Sequence, residues 1–250
     1  MDNQCIIAHR GESFDAPENT LSSINRAWNN GIDAVEIDVR LTKDNRVVVI
    51  HDPHTFRVAR KLKWIRNSTL LDLKKVDVGK FKNNKYKGEK IPELSEVLRT
   101  VPVGKKIIIE IKSSSKIIPF INLAIVNSGL QADQIEIISF NLKTLIKAKK
   151  QMPNISFLWI LELDYFWISK ILTPSFETII STAIQNELNG LNLFAGTLLN
   201  AEIIKRIKSA NLRLYAWTVN NPEKAKKLLG FGVDAIITDR AKWMKNKLSI

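Results

Sequence analysis

Short apolar stretches of strand character alternate with helical stretches along the whole chain, and no other feature restricts the fold as strongly. Strands are expected at Cys5–Ala8, Asp33–Arg40, 105–112, 135–139, 155–161, 190–194, 212–219 and 234–238. Helical spacing of apolar residues, or capping residues, marks the segments between them. Eight strand–helix units in 250 residues fit an α/β fold of the (β/α)8 TIM-barrel type. A doubly wound parallel sheet is the alternative. No glycine-rich nucleotide fingerprint follows any strand, which counts against it. A single domain over residues 1–250 is the expected organisation.

The second strand is followed by a turn at Lys43-Asp44-Asn45 and a further apolar run, Val47 to Ile50. Residues 52–90 then break the rhythm. From Arg57 to Lys90 they hold twelve Lys/Arg against three Asp/Glu, with scattered aromatics and no long period. This segment reads as a basic lid or insertion with short helices around Ser68–Val76. Its part from Arg57 to Lys90 carries net +9 of a total +13. Such a charge attracts phosphate-bearing substrates or makes weak contact with an anionic membrane surface; equally, it can be a solvated face. No helix-turn-helix, RNA-binding sheet motif or zinc module is visible, so nucleic acid is not an expected partner. Oligomeric state is left open.

No apolar run reaches the ~18 residues that span a bilayer. The N-terminus MDNQCIIAHR lacks the basic and apolar regions of a signal peptide. Cys5 is the only cysteine, so no intramolecular disulfide forms, and it is expected as a small core residue. A cytoplasmic protein is the expectation.

The polar residues of interest cluster at strand ends. His9 and Arg10 close the first strand, and Gly11 lets the chain turn. Glu36 and Asp38 lie two apart on the second, so both carboxylates share one face, opposite Val35, Ile37 and Val39. His51 ends the 47–50 extension. Glu110 and Lys112 lie late in the third barrel strand, and Trp217 near the end of the seventh. In a barrel these positions converge on the rim that carries active sites. Two imidazoles suit a general acid and base. Glu36, Asp38 and Glu110 form an all-oxygen set suited to one divalent cation, Mg²⁺ or Ca²⁺, rather than zinc. Arg10 and Lys112 could hold the charge of a bound anion. Asn220 and Asp239 read as helix caps, and His54 as a residue of the insertion without a role.

HRG-x5-PENT (9–20), E-x-D-V-x-L-T-K-D (36–44), HD (51–52), G-x-x-IPELSEVL (88–98), EIK (110–112), WTVN (217–220) and GVDAIITD (232–239) occur in this order. Together they resemble the glycerophosphodiester phosphodiesterase family over nearly the whole chain. The resemblance implies a small insertion where 52–90 lies and His9 and His51 as the catalytic acid/base pair. It also implies metal binding by Glu36, Asp38 and Glu110, with Trp217 as an aromatic wall beside substrate. Glycerophosphodiesters would be the substrates, yielding glycerol 3-phosphate and an alcohol. A lysophospholipase D-type activity on lysolipids and a non-catalytic binder of anionic ligands are the competing readings.

Overall fold

The computed structural model describes residues 5–163 and 174–249. Its strands are β1 (Cys5–His9), β2 (Ala34–Leu41), β3 (Val47–Val49), β4 (Lys106–Ile111), β5 (Ile135–Ser139), β6 (Ser156–Leu161), β7 (Gly190–Phe194), β8 (Arg213–Trp217) and β9 (Ala235–Thr238). All but β3 are parallel, in the cyclic order β1-β2-β4-β5-β6-β7-β8-β9, and β1 pairs with both β2 and β9. The sheet therefore closes into the (β/α)8 barrel that the alternation predicts. Strand β3 is the exception: it turns back antiparallel on the upper half of β2, with Val39 opposite Val49.

Period-2 alternation sorts each strand into two layers. Val35, Ile37 and Val39 of β2, with Ile107, Ile109 and Ile111 of β4, face outward and are buried under the helices. Ile7, Ala34, Ile108, Ile138, Leu158 and Ile237 fill the barrel interior. Each such fully buried aliphatic side chain contributes roughly 1.5–3 kcal/mol. Cys5 packs against the inner layer, and burial pushes its thiol up to about 12, which makes it inert at neutral pH.

The outer helices are α1 (Leu21–Asn29), α4 (Leu94–Leu98), α5 (Ile118–Val126), α6 (Leu142–Gln151), α7 (Phe176–Gln185), α8 (Ala201–Ser209), α9 (Pro222–Gly230) and α10 (Ala241–Leu248). The spacing of apolar residues predicts a helix over 116–127 that Pro119 interrupts early. Instead a 3-10 turn over Ser115–Ile117 leads into α5, and Pro119 lies in its first turn. There the missing N–H has no helical partner to lose.

Residues 52–90 hold α2 (Phe56–Ala59), α3 (Leu70–Lys74) and two 3-10 turns. They close over a small core of their own, in which Val58, Ile65, Leu73, Val76 and Val78 meet Val48, Ile50 and Ile91. The entry and exit of this segment touch: Val48 bridges Glu93, and the Val49 N–H donates to the Pro92 carbonyl at 2.9 Å. No helix among the described residues is long and apolar enough to cross a membrane.

Candidate active site

The turn after β1 aims the first site residues. Arg10 and Gly11 both adopt left-handed backbone, with φ of 58° and 79°. A Cβ on Gly11 would lie 2.5 Å from the Ser23 carbonyl carbon, so α1 approaches too closely for any side chain there. The Arg10 N–H then donates to Glu36 Oε2 at 3.0 Å.

The segment Pro17–Thr20 builds the next layer. Glu18 accepts from Arg10 Nη1 at 2.9 Å and from Arg57 Nη1 at 2.6 Å. Asn19 donates to Asp38 Oδ2 at 2.8 Å and accepts from the Asp38 N–H at 3.1 Å. Thr20 is the N-cap of α1, whereas Asn19 beside it turns to Asp38.

Strand register assembles the acidic trio. His9 of β1 is level with Glu36 of β2, and Asp38 is level with Glu110 of β4. Glu36, Asp38 and Glu110 thus offer ligand oxygens all within 4.8 Å of one another, and all three side chains are buried. Lys112 Nζ stands 2.6 Å from Glu110 Oε1 and 3.4 Å from Asp38 Oδ1, while Arg10 Nε lies 3.1 Å from Asp38 Oδ2. Two cations therefore face three carboxylates. Among the described residues, Glu36 Oε1 has no hydrogen-bond partner. Burial pushes Glu36 well above the ordinary carboxylate range, and the charges of Asp38 and Glu110 push it further. Burial and Asp38 push Glu110 up to about 7 against the pull of Lys112. For Asp38 burial acts upward too, but Arg10, Lys112 and His51 outweigh it and bring it to about 2. A buried, unpartnered carboxylate oxygen in an excess of negative charge fits a hard divalent cation.

Both imidazoles are held by carboxylates. His9 Nδ1 lies 2.7 Å from Asp239 Oδ1, and His51 Nδ1 lies 2.7 Å from Asp52 Oδ1. A carboxylate on Nδ1 fixes the proton there and leaves Nε2 to work. His9 Nε2 is 4.0 Å from Glu36 Oε2, at the edge of the trio. Burial lowers the pKa of His51 below its ordinary 6.5, so its ring is neutral at physiological pH. Asp52 is itself gripped by Arg57 Nε at 2.7 Å, and Asp239 accepts from Asn220 Nδ2 at 2.7 Å. Asp239 and Asn220, expected as helix caps, are therefore supports of His9. The caps of α9 and α10 fall instead at Asn221 and Arg240.

These groups surround a cavity of about 290 Å³ at the C-terminal strand ends. His9, Arg10, Glu36, His51, Glu110, Lys112 and Trp217 line it; Asp38 lies behind them, with no exposed surface. Trp217 forms a wall with Phe140, ring centroids 5.6 Å apart and edge to face, and its Nε1 donates to the Asn192 carbonyl at 3.2 Å. His54 lies elsewhere, packed on Trp64.

Residues 9–242 match the sequence profile of the glycerophosphoryl diester phosphodiesterase family. The chain belongs to that family. It is 32% identical to a glycerophosphodiester phosphodiesterase of Caldanaerobacter subterraneus, over 94% of this chain and 93% of the relative. Identity to a glycerophosphodiester phosphodiesterase of Bacillus subtilis is 30%, over 95% and 84%. An Oleispira antarctica phosphodiesterase, solved with its product sn-glycerol-3-phosphate, superposes with a TM-score of 0.88 at 27% identity, covering 98% of this chain and 97% of that one. The family is one of hydrolases, and this member is an enzyme.

Several cavity residues of this phosphodiesterase went unread in the sequence. Glu162 directly follows β6 and Asn192 is the one polar residue within β7; both line the cavity. The available signals were the strand-end position of Glu162 and the lone polar side chain of Asn192 in an otherwise apolar strand. Asn19 had none beyond its place in a motif, because its partner Asp38 is a neighbour only in the folded chain.

Proposed function

We propose that the protein is a metal-dependent glycerophosphodiesterase that releases glycerol 3-phosphate and an alcohol. One observation carries this reading: two imidazoles, each tethered through Nδ1, flank a cavity floored by Glu36, Asp38 and Glu110. Those three carboxylates would hold one Mg²⁺ or Ca²⁺. When bound, the ion would offset the phosphodiester's negative charge and acidify a hydroxyl beside it. Arg10 and Lys112 would clamp the phosphoryl oxygens, with the guanidinium suited to two oxygens at once.

His51, kept neutral by burial, is suited to take the proton from the attacking oxygen through Nε2. His9 would then give a proton to the leaving alcohol oxygen as the P–O bond breaks. Asp239 and Asp52 would hold both rings in the required tautomer. Trp217 and Phe140 would cover the substrate's carbon skeleton. The lone, unbridged Cys5 is in keeping with a cytoplasmic setting.

The apolar part of the cavity wall, Ile138, Phe140, Ile160 and Ile237, supports a second reading, lysophospholipase D-type cleavage of lysolipids. Glycerophosphocholine and lysophosphatidylcholine offered side by side separate the two. Glycerol 3-phosphate should appear from the first and require Mg²⁺ or Ca²⁺. Added metal should also raise the melting temperature, and Glu36→Gln should abolish that rise. Undiminished turnover in excess chelator, with no metal-induced stabilisation, would refute the metal assignment.

A further inference from the structure

One surface feature has no part in the proposed chemistry. Residues 53–66 form a loop tied shut at its base. His54 bridges Trp64, the Thr55 N–H donates to the Lys63 carbonyl at 3.1 Å, and the Ile65 N–H donates to the Pro53 carbonyl at 3.0 Å. Thr55 and Ile65 turn inward and are buried. The two arms present Phe56, Leu62 and Trp64 outward, 51%, 57% and 44% exposed.

Arg60, Lys61, Lys63 and Arg66 interleave with these three along the chain, and residues 53–66 contain no acid. Among the described residues none of the four cations forms an ion pair. Arg66 instead lies over the Trp64 ring, 6.0 Å from its centroid. Arg57, the fifth cation, is occupied by Glu18 and Asp52. Large apolar side chains held out on a hydrogen-bonded loop lose stabilisation in water. Unpaired cations interleaved with them match one environment, an anionic lipid interface, where aromatics settle at headgroup level and Lys/Arg meet lipid phosphates.

We propose that the 53–66 loop docks the enzyme on anionic bilayers, with Phe56, Leu62 and Trp64 as wedge and Arg60, Lys61, Lys63 and Arg66 as the charged collar. Docking does not depend on the catalytic reading, and binding alone tests it. The full chain is sedimented, at physiological salt, with vesicles of phosphatidylglycerol mixed with phosphatidylcholine, or of phosphatidylcholine alone.

The wild type should pellet with the first and not the second. Phe56→Ser/Leu62→Ser/Trp64→Ser and, separately, Arg60→Gln/Lys61→Gln/Lys63→Gln should each weaken retention at least about tenfold. Lys143→Gln/Lys147→Gln/Lys150→Gln on α6 removes equal charge elsewhere and should retain binding. The substituted side chains of the two charge variants are exposed, Lys63 partly so, and those variants keep the test valid if the apolar one misfolds. Equal loss in the α6 variant, or unchanged retention in the loop variants, would overturn the proposal. So would retention on immobilised nucleic acid with none on vesicles.

Discussion

In the proposed mechanism Asp239 and Asp52 decide whether the two histidines can act, since each fixes a ring through Nδ1. Asp239→Asn should lower kcat about tenfold or more while KM moves little, because the residue positions His9 and does not line the cavity. Both carboxylates also record their partners in acid stability. Burial alone would raise them, yet His9 for Asp239 and Arg57 for Asp52 bring each from 3.8 to about 2. A lowered carboxylate pKa stabilises the fold above pH 3.8, and that contribution disappears as pH falls from 3.8 toward 2. Asp239→Asn should therefore flatten the stability–pH curve in that window; an unaltered acid limb would show that the His9 pairing adds nothing. The histidines themselves divide by leaving group. On a p-nitrophenyl diester, which needs little protonation on departure, His9→Ala should recover much of its deficit. His51→Ala should remain about 10²–10⁴-fold slow on both kinds of substrate. Equal recovery would remove the acid/base distinction. His9, His51, Glu36, Asp38 and Glu110 were legible because strand ends and period-2 spacing reveal a shared face. Asp239 was not, because 230 residues separate it from its partner and its neighbours resemble an ordinary helix start.

At the level of elements, the sharp turn between β1 and α1 aligns the site. Gly11→Ala meets the Ser23 backbone and a φ of 79° together, and should cost about 1–3 kcal/mol in chemical denaturation. Gly104→Ala is the control: its φ is 75°, but nothing stands within 4 Å of the added Cβ. It should cost less, and equal losses would mean that the approach of α1 is not the constraint. Barrel strands were readable because each must present one apolar face to the helices and one to the interior, a rule that local sequence obeys. The 52–90 segment obeyed no period. Its elements are short, and its apolar residues pack on one another and on Val48, Ile50 and Ile91, so its internal order arises from tertiary contacts.

For the molecule as a whole, +9 of the net charge of +13 lies between Arg57 and Lys90, within the insertion. If this field steers anionic substrates, kcat/KM should fall as ionic strength rises. Lys80→Glu/Lys85→Glu/Lys87→Glu should raise KM and flatten that salt dependence; identical salt profiles would leave these lysines as solvated surface. The barrel and the insertion meet through Glu18, which holds Arg10 on one side and Arg57 on the other. The pairing of Val48 and Val49 with Pro92 and Glu93 has a separate consequence. Because the excursion leaves and rejoins the scaffold at adjacent points, its length is decoupled from the eight-strand ring. Evolution, or an engineer, can graft a different appendage there and change the surface the enzyme presents, while the acidic floor of the cavity stays in register beneath it.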